Sequence, residues 1–516
     1  MRSMAQGQKA NLVLLLVLAL AAGLRLYGLA AESFWFDEAY SVWVARHSVA
    51  WHIALSTQRI FPPLYYLCLH FWLRLGGSEF AVRALSVLIG LSSIIAIYAL
   101  AWHLFSKRVA LLSAFLLAIS PLHIWYSQEA RMYILVAALG LYSALFMLLA
   151  LREGKRWQWL AYVLTTALVM NAHYFAIFLV PFQNAYAIYW WLRKQARQNN
   201  WRPWASPWVR RWVLSQVVIG LLSVVGLAGI FSSESGYWWG LLDTWHGAPG
   251  LADLLGLMFS FSLGTTVQGR LLYWGGLLVF GLCILGNLLV FVPGHSSRSS
   301  ARDLQAGSER DGLLFVLLYL LMPLGTVFAF SQFRSFWVLR YIFPFLPPYC
   351  ILVGRGVDSV LRLGEGKARS IGQALGLGML VAICLISLWP IANTYRYEQK
   401  ENWRAAVSYL SAEEQTSDVI FLVDEDIWLP FEHYYRGTVR RVGVSRVLTD
   451  RDLLAARVGM VLPSYRRVWL VLSHTDNLAL KDELTTSPYT RLVSEEKFTG
   501  IEVDLFAIQS STAKGD

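Results

Sequence analysis

Charge is scarce in this chain: 15% of its 516 residues are charged, against roughly 25% in a soluble domain. That deficit excludes a solvated surface over most of the length. Acids are rarest where the chain is most apolar, with 14 Asp and Glu against 29 Lys and Arg in residues 1–392. Cysteine is also rare. Cys68, Cys283, Cys350 and Cys384 lie in apolar segments without ligand spacing, which excludes a disulfide framework or a cysteine metal site and leaves small core residues. No phosphate loop occurs in context; "GLGML" and similar stretches lie within apolar runs and serve packing. The net charge of +11 does not signal nucleic acid, because the basic excess sits in short loops between apolar runs, where it reports topology.

What abounds is apolar surface: 56% of residues are hydrophobic, with 23 Trp and 24 Tyr. Runs of about 17–22 residues recur, close to the roughly 20 needed to cross a bilayer. About eleven spans are predicted, near 11–30, 82–104, 109–125, 132–151, 158–173, 176–192, 212–231, 271–292, 312–331, 338–355 and 372–391. The first run is too long for a cleaved signal peptide and no clear cleavage site follows it, so it is expected to remain. With a cytoplasmic N-terminus, about 20 basic residues fall in the inner loops and about 6 in the outer ones. The short segment "LADLLGLMFSFSLG" (251–264) reads as re-entrant or interfacial, since counting it as a span would put the basic 295–310 and 355–369 loops outside.

An odd number of spans places residues 393–516 outside. There "WRAAVSYL" and "RDLLAARVG" read as helices, and "DVIFLV" and "RVWLVLS" as strands, which predicts a small soluble α/β domain. The expected fold is thus a polytopic α-helical membrane domain, 1–392, followed by an extracytoplasmic α/β domain, 393–516. In the first outer loop, about 31–81, "AYSVWVARHSVAWHIAL" and "PPLYYLCLHFWLRLGG" have the pattern of interfacial amphipathic helices.

Acids at a bilayer edge are costly and point to function. "FWFDEAYSV" sets Asp37 and Glu38 among aromatics at the outer surface, as catalytic carboxylates or as a capping pair. "HIWYSQEARMY" sets Gln128, Glu129, Arg131 and Tyr133 at another outer junction, as a binding site or as an ion pair fixing a turn. "RSFWVLRYIFPFLPP" carries Arg334 and Arg340, suited to forked bonds with a phosphate or to snorkelling. His173 in "NAHYFAIF" is a ligand or a satisfied interfacial residue. "DEDIW" (424–428) follows a strand and reads as a solvated loop, with a metal the lesser alternative. No cofactor is identified by the residues, and a divalent metal is compatible.

Adjacent carboxylates cannot flank a glycosidic bond at the roughly 5–9 Å that glycosidases use. One carboxylate as base, with cations facing a leaving phosphate, instead suits glycosyl transfer from a polyprenyl-phosphate sugar. A transporter or flippase of lipid-linked sugars is the alternative, but inverted repeats and broken midplane helices are not evident. A membrane-anchored binding module would explain the tail and not the carboxylates.

The motifs "FWFDEAYS", "PPLYYLCLHFWLRLGGSEFAVRALS", "SPLHIWYSQEARMY", "LRYIFPFLPP" and "ENWRAAVSYL", in that order, resemble the bacterial GT-C glycosyltransferases of the protein O-mannosyltransferase and lipid A aminoarabinose transferase type, the family 39-like group. The resemblance covers most of 1–392 and continues into the tail. It implies an inverting transferase in the bacterial inner membrane, using a polyprenyl-phosphate-linked sugar and a lipid, protein or glycan acceptor. It also implies Asp37 as catalytic base beside Glu38, and a donor-phosphate site including Glu129, Arg131 and Arg340. Relatives commonly carry Lys or His just before the Pro-Pro-Leu; here that position is Phe61, with Arg59 or His70 as alternative sources of charge.

Overall fold

The computed structural model describes residues 2–58, 62–198, 207–231, 247–267, 270–291, 309–334, 336–363, 367–423, 427–444, 462–473 and 478–509. The chain forms two compact units. One contains Met1–Tyr27, His47–Gly77 and Ala81–Tyr395, and the other Gly28–Arg46, Ser78–Phe80 and Arg396–Asp516.

The first unit is helical. It begins with α1 (Arg2–Leu26), then continues, after residues of the other unit, with α3 (Val49–Gln58) and α4 (Leu64–Trp72). Next come α5 (Glu79–Leu104, in this unit from Ala81), α6 (Lys107–Ala118), α7 (Pro121–Ser127), α8 (Tyr133–Glu153) and α9 (Arg156–Ala172), with further helices to Tyr395. Among the described residues six helices are long and apolar enough to cross a membrane, or eight if two bent pairs each count as one span. The segment 251–264 forms a 13-residue helix, Leu251–Leu263.

Local chemistry explains the breaks. Pro121 has no N–H for the carbonyl four residues back, and α6 and α7 meet at 62° with Ser120 accepting from the His123 amide. Gly154 ends α8 with φ 71°, the left-handed conformation a tight helical hairpin needs. Between helices the glue is polar: Ser143 and Thr166 hydroxyls lie 2.7 Å apart, and Gln183 donates to Ser143 at 2.8 Å. At Gly356 a Cβ would lie 1.6 Å from the Cys283 carbonyl oxygen, so two backbones touch there and only glycine fits.

The second unit contains a five-stranded sheet: β1 (Asp418–Val423), β2 (Arg440–Val444), β3 (Arg467–Ser473), β4 (Thr490–Phe498) and β5 (Ile501–Ile508). Its order is β2-β1-β3-β5-β4, with β1 parallel to β2 and β3, and β5 antiparallel to β3 and β4. β1 and β3 are apolar on both faces, as a covered parallel sheet requires. One face packs Trp403, Leu410, Phe431 and Trp469, and the other Phe421, Leu470, Leu484 and Phe506. Arg467 forks onto Asp418 at 2.9 and 2.7 Å where β1 and β3 begin.

Helix α2 (Phe36–Ala45) belongs to this unit. Ser33 donates to the Glu401 carbonyl at 2.7 Å, the Phe34 amide to Tyr434 at 2.7 Å, and Trp43 lies edge-on to Trp428. The helix expected across 39–55 is therefore two helices, α2 and α3, interrupted at Arg46–Ser48. "WRAAVSYL" forms Trp403–Glu413 as expected, whereas "RDLLAARVG" lies outside the described residues.

Candidate functional site

The carboxylate pair sits in the second unit. The N-cap of α2 is Trp35, extended at φ −84°, ψ 175°, with no side-chain capping bond. Asp37 and Glu38 therefore occupy the first helical turn rather than the cap, where the amide end of the helix favours negative charge. Neighbours on a helix point about 100° apart, and here that separates their surroundings. Glu38 is fully buried, with Oε2 3.2 Å from the Lys400 ammonium, itself 8% exposed. Asp37 is half-buried, and its backbone carbonyl accepts from the Ser41 hydroxyl at 2.9 Å. Phe36, Tyr40 and Trp43 form an aromatic row along the same helix.

The second group lies in the helical unit. Arg131 is 7% exposed, donates to the Tyr66 hydroxyl at 3.4 Å, and has its guanidinium 5.8 Å from the Tyr133 ring centre. Arg340, half-buried, lies 5.7 Å from the Tyr341 ring centre. Tyr133, His173 and Tyr341 lie 5.2–6.2 Å from one another, so both guanidinium groups border one aromatic group. His173 is 3% exposed and within electrostatic reach of both arginines. Its Nδ1 accepts the Phe175 amide at 3.1 Å, leaving the ring proton of the neutral form on Nε2. Glu129 is buried; its carbonyl accepts the Arg131 amide at 2.9 Å in a tight turn. Two guanidinium groups bordering one cluster of tyrosines and a histidine suit a small anion.

The structure thus groups Glu129, Arg131, Tyr133, His173 and Arg340, together with Tyr126, Tyr174 and Tyr341, which the sequence had not singled out. Gln128 is engaged otherwise, donating to the carbonyls of Arg25 and Tyr27 at 3.0 and 2.9 Å. His70 lies on α4 beside His52, ring centres 5.8 Å apart. Arg334 is exposed, as snorkelling requires. Arg59 and Phe61 lie outside the described residues, as do the three acids of "DEDIW". Lys400 was also missed, and its signal is thin: one lysine two residues before the "NW" that opens a helix.

As to metal, among the described residues one acidic trio has suitable spacing, Glu495, Glu502 and Asp504. A protein cation already occupies it. Lys481 donates to Glu495 at 2.9 Å and to Glu502, and lies 3.1 Å from Asp504. Burial pushes the Asp504 carboxyl up to about 6, against the opposing pull of Lys481. These residues carry no catalytic group of either cluster.

Comparison with known proteins follows the same lines. Residues 61–228 match the dolichyl-phosphate-mannose-protein mannosyltransferase family. The structure is similar to ArnT from Cupriavidus metallidurans in the apo state (TM-score 0.57, 14% identity, 97% of this chain and 98% of that chain). It is also similar to ArnT from the same organism bound to undecaprenyl phosphate (TM-score 0.55, 16% identity, 97% and 99%). Oligosaccharyltransferase AglB from Archaeoglobus fulgidus, in complex with an inhibitory peptide and a dolichol-phosphate, is more distant (TM-score 0.50, 11% identity, 99% and 75%). None of the curated proteins compared with the chain matches it. Over nearly the whole chain the fold is that of ArnT, a polytopic helical GT-C fold.

Proposed function

We propose that this protein moves a sugar from a polyprenyl-phosphate donor to an acceptor hydroxyl or amine at the outer face of the bacterial inner membrane, with inversion at the anomeric carbon. Asp37 takes the proton of the acceptor as its oxygen or nitrogen attacks that carbon. The bond from the carbon to phosphate oxygen breaks, and polyprenyl phosphate leaves with the electron pair. Arg131 and Arg340 hold the phosphate and stabilise the charge that grows on it, which is the larger share of such catalysis. Glu38, neutralised by Lys400, fixes the helix that presents Asp37. The N-terminus lies in the cytoplasm and residues 393–516 outside.

The observation that carries this reading is the pair of guanidinium groups bordering one tyrosine and histidine cluster at the ends of apolar helices. The undecaprenyl phosphate and dolichol-phosphate bound to the two similar proteins support it. Purified protein in lipid, incubated with a panel of polyprenyl-phosphate sugars and candidate acceptors, is expected to release polyprenyl phosphate from one donor. Movement of intact donor across a vesicle membrane without cleavage would instead establish a transporter.

A further inference from the structure

A polar network in the helical unit is centred on Arg25, which neither carboxylate chemistry nor phosphate binding has used. Arg25 lies near the end of α1 and is fully buried. A buried intramembrane cation is costly unless every donor is matched. Here each one is. Nη1 donates to the carbonyls of Ala21 at 3.1 Å and Ala118 at 3.0 Å, and Nη2 to that of Leu117 at 3.2 Å. Nη2 also donates to His123 Nδ1 at 2.7 Å, and Nε to the Ser127 hydroxyl at 3.2 Å. All five N–H groups of the fork are thereby engaged.

Two of the acceptors, the Leu117 and Ala118 carbonyls, are those a broken helix leaves behind. The Leu117 carbonyl would bond the amide of residue 121 in a continuous helix, and Pro121 has none. In an apolar medium such orphans must find a donor within the protein. Because His123 Nδ1 accepts, its proton is on Nε2, which donates to Ser93 Oγ at 2.8 Å, and Ser93 donates to the Gly90 carbonyl at 2.6 Å. The joint is tight: a Cβ on Gly90 would lie 2.4 Å from Ser127 Oγ. Next to Ser127, Gln128 donates back to the Arg25 and Tyr27 carbonyls. The chain then turns through Glu129 to Arg131 and Tyr133.

We infer that Arg25 is a positioning residue for the donor-phosphate group, its guanidinium capping the break between α6 and α7 and so fixing where Arg131 stands. The inference rests on the phosphate reading proposed above. Its test uses the full chain in detergent, with undecaprenyl phosphate as the probe and binding measured on the monodisperse folded fraction. Arg25→Met is expected to weaken binding on the order of 10²-fold, the scale of a small misplacement of a binding group. Arg25→Lys should recover part of this, since one ammonium cannot replace the fork. A merely structural Arg25 would lower the yield of folded protein while the folded molecules bind normally, and that result overturns the inference. Should Arg25→Met not fold, Gln128→Ala removes two bonds at the same joint; weakened binding upholds the inference and unchanged binding refutes it. Arg131→Ala separates the two levels: if it binds the probe like the wild type, the phosphate reading falls and this inference with it. If Arg131→Ala weakens binding and Arg25→Met does not, only the positioning role fails.

Discussion

Replacing Lys400 with methionine removes an ammonium from beside a carboxylate that has no access to water. Glu38 is fully buried and Lys400 nearly so, 3.2 Å apart. At that separation the attraction is about 5 kcal/mol for an effective dielectric near 20. Desolvation of the two ions offsets several kcal/mol of it, yet breaking such a pair from one side typically costs about 3–5 kcal/mol, because one charge stays buried alone. Lys400→Met and Glu38→Gln should each destabilise the second unit on that scale. The double variant Glu38→Gln/Lys400→Met leaves no buried charge and should regain most of the loss. Hydrogen exchange in β1 and β3 of the full chain, together with its melting temperature, measures this. A Lys400→Met protein as stable as the wild type, or a double variant worse than either single one, refutes the reasoning. Turnover of the double variant then divides the roles. Restored activity makes Glu38 a fixture of the helix, whereas restored stability without activity makes its carboxylate part of the chemistry.

Four further outcomes are expected. Asp37→Asn should lose about 10²–10⁴-fold in turnover while still binding undecaprenyl phosphate, since Asn keeps the shape but cannot take the proton; normal turnover would dismiss Asp37 as base. Arg340→Ala should cost roughly 2–4 kcal/mol in donor turnover, with Arg340→Lys intermediate because the fork is lost; full activity of the alanine variant, read as kcat/KM for the donor, returns Arg340 to snorkelling. Burial, reinforced by Arg46, holds the His433 imidazole down at about 4, so the unfolded chain binds its proton first as pH falls and stability drops between about pH 6.5 and pH 4. His433→Phe should flatten that slope in hydrogen exchange of β1, and an unchanged slope would exclude His433 as its source. Cysteines introduced at Ser411 and Ser299, labelled in intact cells by an impermeant reagent, should react at 411 alone; labelling at 299 alone reverses the orientation.

Much of the second unit was legible because its central strands are continuous apolar runs, which β1 and β3 are. β2 and β4 were not, since "RRVGV" and "TRLVSEEKF" lie at sheet edges, where few side chains are buried. β5 was readable in principle: in "IEVDLFAI" apolar and acidic residues alternate before the mixed end. The hairpin joining β4 and β5 turns on Gly500 at φ 70°, and a "TG" pair is a faint signal. In the helical unit, the rarity of charge marked Glu129, Arg131 and Arg340. Arg25 carries the same signal, a lone guanidinium at the end of an apolar run.

By itself the sequence determined that the chain belongs in a membrane, because apolar runs of bilayer length have no other stable place. It also determined which few polar groups are costly enough there to need a purpose. Only the tertiary structure decided which partner each of those groups has. Asp37 and Glu38 are adjacent in sequence, yet one is half-buried and the other sealed against an ammonium 362 residues further on. Helix geometry turns neighbours apart, and long-range packing chooses what they meet. The same holds for Arg25: two of its acceptors, the Leu117 and Ala118 carbonyls, are left open by the break at Pro121, and packing brings that break to its side chain.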